Sequence, residues 1–237
     1  MPKKKITVII PVFNEKKFID KIIKKVKKDL HFNKQIIVVD DCSSDGTRKI
    51  IKNNKNIDKI ILHKKNLGKG AAIKSAVPYI RGDIISIQDA DFEYRPIDLN
   101  KLIKVMIKKN LNVVYGSRVL NKKRYFGGIF LSHFRTFGNH VLTIISNFLN
   151  NQKLTDAHTC YKIFKKDIFV KLDLQENDFA FCPEVTTKIS LLNEIIKEVP
   201  IFYKGRSVEE GKKIKFYDAI RALITIIKYR YFVKFRY

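Results

Sequence analysis

The segment Gly82-Asp83-Ile84-Ile85-Ser86-Ile87-Gln88-Asp89-Ala90-Asp91-Phe92-Glu93 runs from an apolar, strand-like stretch directly into three alternating carboxylates. Alternate residues at a strand end project to one side. Asp89, Asp91 and Glu93 can therefore converge on a hard divalent cation such as Mg²⁺ or Mn²⁺, which prefers oxygen ligands. Acids spaced in this way also occur in solvated turns, so the surrounding chain has to decide between the two.

Outward from this segment, short β-branched runs alternate with helical periodicity, which specifies a parallel sheet with crossover helices. Strands are expected at 6–12, 35–40, 58–63, 83–88 and 112–116, and helices at 15–30, 45–53, 69–80 and 97–109. Asp45-Gly46-Thr47 reads as the turn and cap that open the second helix, and Pro96 and Asp98 suit the first turn of the fourth. In open sheets of this kind ligands lie beyond the carboxyl ends of the strands. Four polar clusters obey that rule: Pro11-Val12-Phe13-Asn14-Glu15, Val39-Asp40-Asp41-Cys42-Ser43, the acids at 88–93, and Gly116-Ser117-Arg118. Neither the G-x-G-x-x-G of dinucleotide folds nor the G-x-x-x-x-G-K-[ST] of phosphate-binding NTPases occurs. In Asn66-Leu67-Gly68-Lys69-Gly70 the glycines permit a tight entry to the following helix; a phosphate loop is the alternative.

Beyond Arg118 the alternation weakens. Residues 121–128 read as a basic, glycine-containing loop, followed by a helix at 134–149, a strand at 161–164, a helix at 183–193 and a strand at 195–202. The tail is helical in period over 214–231, with Phe216, Ile220, Leu223, Ile227 and Tyr231 on an apolar face and Asp218, Arg221, Thr225 and Lys228 opposite. From residue 204 to the end, ten Lys or Arg stand against three acids. Such a helix can lie on an anionic bilayer or pack on the sheet.

The chain has 237 residues, of which 45% are hydrophobic, enough for one large domain with a tail and too apolar for disorder. No apolar run approaches the roughly 20 residues that span a bilayer, and the first residues lack a signal-peptide pattern. A cytoplasmic catalytic face is the expectation. Cys42, Cys160 and Cys182 are odd in number and widely spaced, which fits buried thiols rather than a disulfide framework or a zinc site. The net charge of +25 favours a polyanionic partner, although runs such as Lys24-Lys25 and Lys27-Lys28 also suit the solvent face of a helix. A nucleic acid is not expected, because no binding signature is present and the acids cluster where a polyanion would be repelled.

Taken in order and spacing, the strand-end motifs resemble those of the inverting glycosyltransferase family 2, in particular its dolichol-phosphate mannose synthase and polyprenyl-phosphate glucosyltransferase branch. The motifs are residues 8–15, 36–47, 66–70, 88–93 and 116–118, then Leu154-Thr155-Asp156 with Cys160-Tyr161-Lys162, and finally the stretch from Val199-Pro200 to Lys212. The resemblance covers nearly the whole chain. It implies a Rossmann-like GT-A fold with a mostly parallel central sheet over residues 1–203, and a basic loop with an amphipathic helix over 204–237. By motif, Pro11, Phe13 and Glu15 would line the nucleotide pocket, Val39 and Asp41 would contact the base, and Asp89 and Ala90 would lie at the nucleotide sugar. Asp91 and Glu93 would hold Mg²⁺ or Mn²⁺ on the diphosphate, with Arg118 facing phosphate charge. Arg206 and Lys212 match cations of a loop that closes over the donor and meets a lipid phosphate, to which Arg135 would add another. The family often has Tyr where Phe13 stands and Gln where Glu93 stands. Asp156 and Glu184 are the candidates for orienting the acceptor or for a structural role. The function implied is transfer of mannose or glucose from a GDP- or UDP-sugar to a dolichyl or polyprenyl phosphate at the inner membrane face. The alternative acceptor is a glycan or a protein. Anchoring falls to the basic tail or to a separate membrane-protein partner.

Overall fold

A computed structural model describes residues 4–120, 130–205 and 216–233; for 130–137 and residue 216 it describes the backbone alone. Seven strands form one sheet: β1 (Ile6–Val12), β2 (Lys34–Asp40), β3 (Lys59–Leu62), β4 (Ile84–Ile87), β5 (Val113–Ser117), β6 (Lys162–Lys165) and β7 (Ile196–Pro200), in the order β3-β2-β1-β4-β6-β5-β7. Every pairing is parallel except those of β6, which runs antiparallel between β4 and β5. The sheet is therefore mostly parallel, as expected. The helices are α1 (Ile19–Asp29), α2 (Thr47–Lys52), α3 (Lys69–Ala76), α4 (Leu99–Lys108), α5 (Phe130–Asn150), α6 (Lys166–Lys171), α7 (Phe181–Leu191) and α8 (Phe216–Ile227), the last running into a π-helical turn at Lys228–Phe232.

Strands buried on both faces read as nearly continuous apolar runs, and β1 shows why. Its residues Val8, Ile10 and Val12 enter one core with α1, α2 and α4, while Ile9 enters the opposite core with α3, α6 and α7. Helix α1 buries Ile19, Ile22, Ile23 and Val26 at helical spacing and leaves Lys24, Lys25, Lys27 and Lys28 exposed, so those lysines are a solvated face. The Asp45 carboxylate accepts from the Thr47 amide (2.9 Å) and hydroxyl (2.6 Å), which fixes the entry to α2. Pro96–Asp98 forms a 3-10 turn leading into α4.

Glycines 68 and 70 permit more than a tight turn. Gly68 has φ +96°, and a Cβ on Gly70 would sit 2.3 Å from the carbonyl oxygen of Glu176, so the 176–178 backbone closes directly over this loop. Helix α6 was not expected from the sequence: it follows β6 directly, with no Gly or Pro between Lys165 and Lys166 to mark the change. Helices α5 and α8 pack on each other and on α7, outside the sheet layers. Among the described residues no helix is long and apolar enough to cross a membrane. The expected apolar face of the tail helix proves to point mostly outward: Ile220, Ile227 and Tyr231 are exposed, whereas Thr225, assigned to the polar face, is buried.

Candidate active site

The carboxyl ends of β1, β2, β4, β5 and β7 form one rim, and hydrogen bonds link them in sequence around it. The first two ends are joined by the Asn14 amide, which donates to the Ser43 hydroxyl (2.9 Å), and by the Ser44 amide, which donates to the Asn14 side chain (2.9 Å). Glu15 is buried, and its amide donates to the Thr47 hydroxyl at 3.0 Å. Pro11 and Phe13 are partly exposed at this end. Asn14, Cys42 and Phe92 have φ values of 53°, 67° and 63°, so three strand-end turns hold a non-glycine residue in the left-handed region. Asn110, Asn151, Asp173 and Asn193, away from the rim, share this conformation, so it is not confined to the strand ends.

Asp41 is the next link. Its carboxylate accepts from the amides of Leu67 and Gly68 (2.8 Å each) and pairs with His63 Nδ1 at 2.7 Å, so it pins the 66–70 loop to the end of β2. Val39 is fully buried in the core, and Ala90 is almost so. Whatever reaches a ligand at those two positions is mainly backbone.

The loop pinned by Asp41 delivers Lys69 to the acids. Lys69 Nζ lies 2.5 Å from Asp89 Oδ1 and 3.2 Å from Cys160 Sγ. Burial disfavours the ammonium, but Asp89 together with the Cys160 and Cys182 sulfurs outweighs it, and the Lys69 pKa stands well above the usual lysine value. Asp89 is thus already matched to a fixed cation, whereas Asp91 and Glu93 lie further along the turn. Asp91 Oδ1 accepts from the Glu93 amide at 3.1 Å, and Glu93 Oε2 accepts from the Tyr203 hydroxyl at 2.9 Å. Two part-buried carboxylates are a donor set that suits Mg²⁺ or Mn²⁺, which commonly take one or two protein carboxylates and complete their shell with substrate phosphates and water. Among the described residues no group of three or more His, Cys, Asp or Glu side chains is placed to hold a metal by itself.

Arg118, at the end of β5, closes the rim. Its guanidinium is bidentate to Asp156 (2.7 Å for each bond), its amide donates to the same carboxylate (3.0 Å), and it stands 5.1 Å from the centre of the Tyr203 ring. Burial works against charge on both partners, yet the pair prevails: Asp156 is held below the usual carboxylate range and Arg118 is raised. Glu198 in β7 in turn accepts from the amides of Thr155 and Asp156 (2.7 and 2.9 Å) and from the Thr155 hydroxyl (2.9 Å), fixing the Asp156 turn.

Glu184 is fully buried away from this chain of contacts. It accepts from the amides of Gln175 and Glu176 (2.7 and 2.9 Å) and pairs with Lys188 (2.7 Å), a structural role that holds the segment packed over Gly70. Arg206 and Lys212 lie outside the described residues, as does the side chain of Arg135; the backbone of Arg135 belongs to α5. Lys69, Tyr203 and Glu198 contact the rim residues and were not singled out by the sequence reading. The signal for Lys69 was its place between the two glycines of the 66–70 loop. Tyr203 and Glu198 carried no local signal, since both act on partners far away in sequence.

Residues 7–173 match the family model described as Glycosyl transferase family 2. Among curated proteins, the chain is 27% identical over 240 residues to a dolichyl-phosphate beta-glucosyltransferase, ALG5A, of Trichomonas vaginalis, covering 94% of this chain and 72% of the relative. It is 30% identical over 228 residues to the uncharacterized protein MJ1222 of Methanocaldococcus jannaschii, covering 90% of each. Among solved structures, glucosyl-3-phosphoglycerate synthase from Mycobacterium tuberculosis, in complex with Mn²⁺, UDP and phosphoglyceric acid, superposes with a TM-score of 0.71 at 16% identity. That match covers 96% of this chain and 79% of the synthase, and shows a shared fold.

Proposed function

The chain belongs to glycosyl transferase family 2, and on that premise we propose that it moves a hexose, glucose or mannose, from a UDP- or GDP-sugar to a dolichyl or polyprenyl phosphate with inversion at the anomeric carbon. The dolichyl-phosphate beta-glucosyltransferase of Trichomonas vaginalis supports a lipid-phosphate acceptor and places glucose first among the sugars to test. The observation that carries the reading is the state of Asp156 and Glu184, the described carboxylates that the sequence offers for orienting the acceptor. Asp156 is spent on Arg118 and Glu184 on backbone amides and Lys188. A sugar or protein hydroxyl needs a positioned base, whereas a lipid phosphate is already an anionic nucleophile at neutral pH.

In this reading an acceptor phosphate oxygen bonds to the anomeric carbon as the bond from that carbon to the donor diphosphate breaks, and the nucleoside diphosphate leaves. Pro11, Phe13, Glu15 and the turn held by Asp41 bind the nucleotide end. Asp89 and Ala90 face the donor sugar, with Lys69 fixing Asp89. Asp91 and Glu93 would hold Mg²⁺ or Mn²⁺, which supplies Lewis-acid stabilisation of the charge on the leaving diphosphate. Arg118, oriented by Asp156, adds a fixed cation to that stabilisation. Arg135, Arg206 and Lys212 remain the proposed cations for the acceptor phosphate. The reaction takes place at a bilayer surface, on the cytoplasmic side.

The test is a transfer assay with UDP-glucose and GDP-mannose against a short polyprenyl phosphate. Turnover should require divalent metal, and Asp91→Ala should lower it by about 100- to 1000-fold. Turnover that survives both chelation and Asp91→Ala refutes the metal assignment. Transfer to a soluble glycan or a protein, with none to lipid phosphate, refutes the acceptor.

A further inference from the structure

The chain leaving β7 grips Glu93 at two points. The Lys204 amide donates to the Glu93 carbonyl (3.0 Å) and the Tyr203 hydroxyl donates to Glu93 Oε2 (2.9 Å), so consecutive residues hold one acid by its backbone and by its carboxylate. Tyr203 is itself held in place. It forms an antiparallel bridge with Tyr94, and the two rings lie 5.1 Å apart. Tyr94 is almost fully buried, packs its ring 4.7 Å from that of Tyr161, and accepts from the Cys160 amide (3.2 Å). The Tyr161 hydroxyl donates to Gln88 Oε1 (2.5 Å), which ties this aromatic row back to the strand end that carries the acids. The Tyr203 ring also lies 5.1 Å from the Arg118 guanidinium, within cation–π range. One phenol thus touches both Glu93 and Arg118.

We propose that Tyr203 is a positioning residue, whose hydroxyl sets the Glu93 carboxylate for the divalent cation and whose ring sets Arg118, so that the metal and the fixed cation keep a defined spacing. The inference rests on the assignment of Asp91 and Glu93 to the metal. A glutamate left to rotate loses side-chain freedom when it binds an ion, and a bond made beforehand reduces that cost. A hydroxyl suits the task, because it orients a carboxylate without adding charge that opposes the cation. The lysine and arginine that fix Asp89 and Asp156 would repel a metal ion instead. An ionised carboxylate has about four acceptor sites, so a bond to Oε2 leaves coordination open. Partners that orient metal ligands in this way are worth about 10- to 100-fold in metal affinity. The same stretch also registers the acidic turn against β5: the Ile201 amide donates to the carbonyl of Ser117, next to Arg118, at 3.1 Å. Three residues, 201, 203 and 204, therefore bridge the two halves of the diphosphate side.

The experiment is Mn²⁺ binding to the full chain, read by electron paramagnetic resonance of the free ion, with UDP or, separately, GDP present. Wild type should bind and Asp91→Ala should be impaired. Tyr203→Phe, which keeps the ring and removes the hydroxyl, should weaken Mn²⁺ binding by about tenfold or more. Tyr115→Phe removes a buried hydroxyl bonded to Thr186 in the opposite core and should leave the affinity unchanged. Nucleotide binding without metal reads the ring: Tyr203→Leu should weaken it about threefold, and Tyr203→Phe should not. In transfer assays Tyr203→Phe should raise the Mn²⁺ concentration for half-maximal rate and leave the rate at saturating Mn²⁺ within about twofold. An Mn²⁺ affinity of Tyr203→Phe within about twofold of wild type, with Asp91→Ala impaired, overturns the positioning role and leaves the metal assignment intact. Equal weakening by Tyr203→Phe and Tyr115→Phe also overturns it, because the loss of any buried hydroxyl would then suffice. A wild type that binds no Mn²⁺, or an Asp91→Ala that binds it equally well, refutes the metal assignment and this inference with it.

Discussion

The strand-end rim and the α5–α8 pair depart from ordinary burial in opposite senses. The rim puts charge inside: Lys69 with Asp89 and Arg118 with Asp156 are pairs in which each side chain is at most 15% exposed. In the helix pair, α5 buries Thr143, Ser146 and Asn150 while Val141, Ile144 and Phe148 are exposed, and α8 buries Thr225 beside Ala222, Ile226 and Tyr229 while Ile220, Ile224 and Ile227 are exposed. Between them lies a conventional core, where β1 feeds Val8 and Ile10 to one side and Ile9 to the other. The two regions thus depart in different ways, the rim by pairing buried charges and the helix pair by leaving apolar side chains outside.

The largest expected effect comes from breaking the rim's ion pair. Arg118→Ala leaves the Asp156 carboxylate buried without its cation and should cost about 3–5 kcal/mol in urea unfolding; a change below 1 kcal/mol would show that the pair is solvated. The pH dependence has a definite sign. The folded Asp156 pKa is depressed, so its stabilisation is present above the unfolded value of about 3.9 and is lost as pH falls through the folded value. Asp156→Asn should therefore flatten the acid limb of a stability-against-pH curve.

The ordinary core sets the scale, and Ile9→Ala should cost about 2–5 kcal/mol. Smaller is the effect expected for Asn150→Ala, which removes the internal partner of two hydroxyls and should cost about 1–3 kcal/mol in thermal or urea melts. Smallest is Ile224→Ala, expected to stay within about 0.5 kcal/mol in vesicle-free solution because that side chain is 58% exposed. Should Ile224→Ala cost as much as Ile9→Ala, the outward face is covered in solution and the contrast between the two regions fails.

The acids at 88–93 were legible as a strand-end cluster because strand period and strand end are both local properties. So were the five strands and four helices of the first half, to within a few residues, since each has its own apolar period. Tyr203 was not legible: its bond to Glu93 joins residues 110 apart in sequence, and no spacing rule reaches that far. Nor was the shared work of Gly68 and Gly70, which depends on the approach of the 176–178 backbone. Glu184 illustrates the limit from the other side, because a carboxylate following Pro183 in a helix's first turn reads alike whether it faces a substrate or two backbone amides.

By itself the sequence determined the alternating α/β architecture, the parallel first half of the sheet and the carboxylates at its strand ends, because all of these follow from local periodicity and the rule that strand ends carry the site. Tertiary structure alone decided which charges meet, namely Lys69 with Asp89, Arg118 with Asp156 and Tyr203 with Glu93. It also decided which face of the tail helix is outside. A helical period gives two faces but no direction, and only the contacts with α5 and α7 select Thr225 and Ile226 for the interior and leave Ile224 and Ile227 exposed.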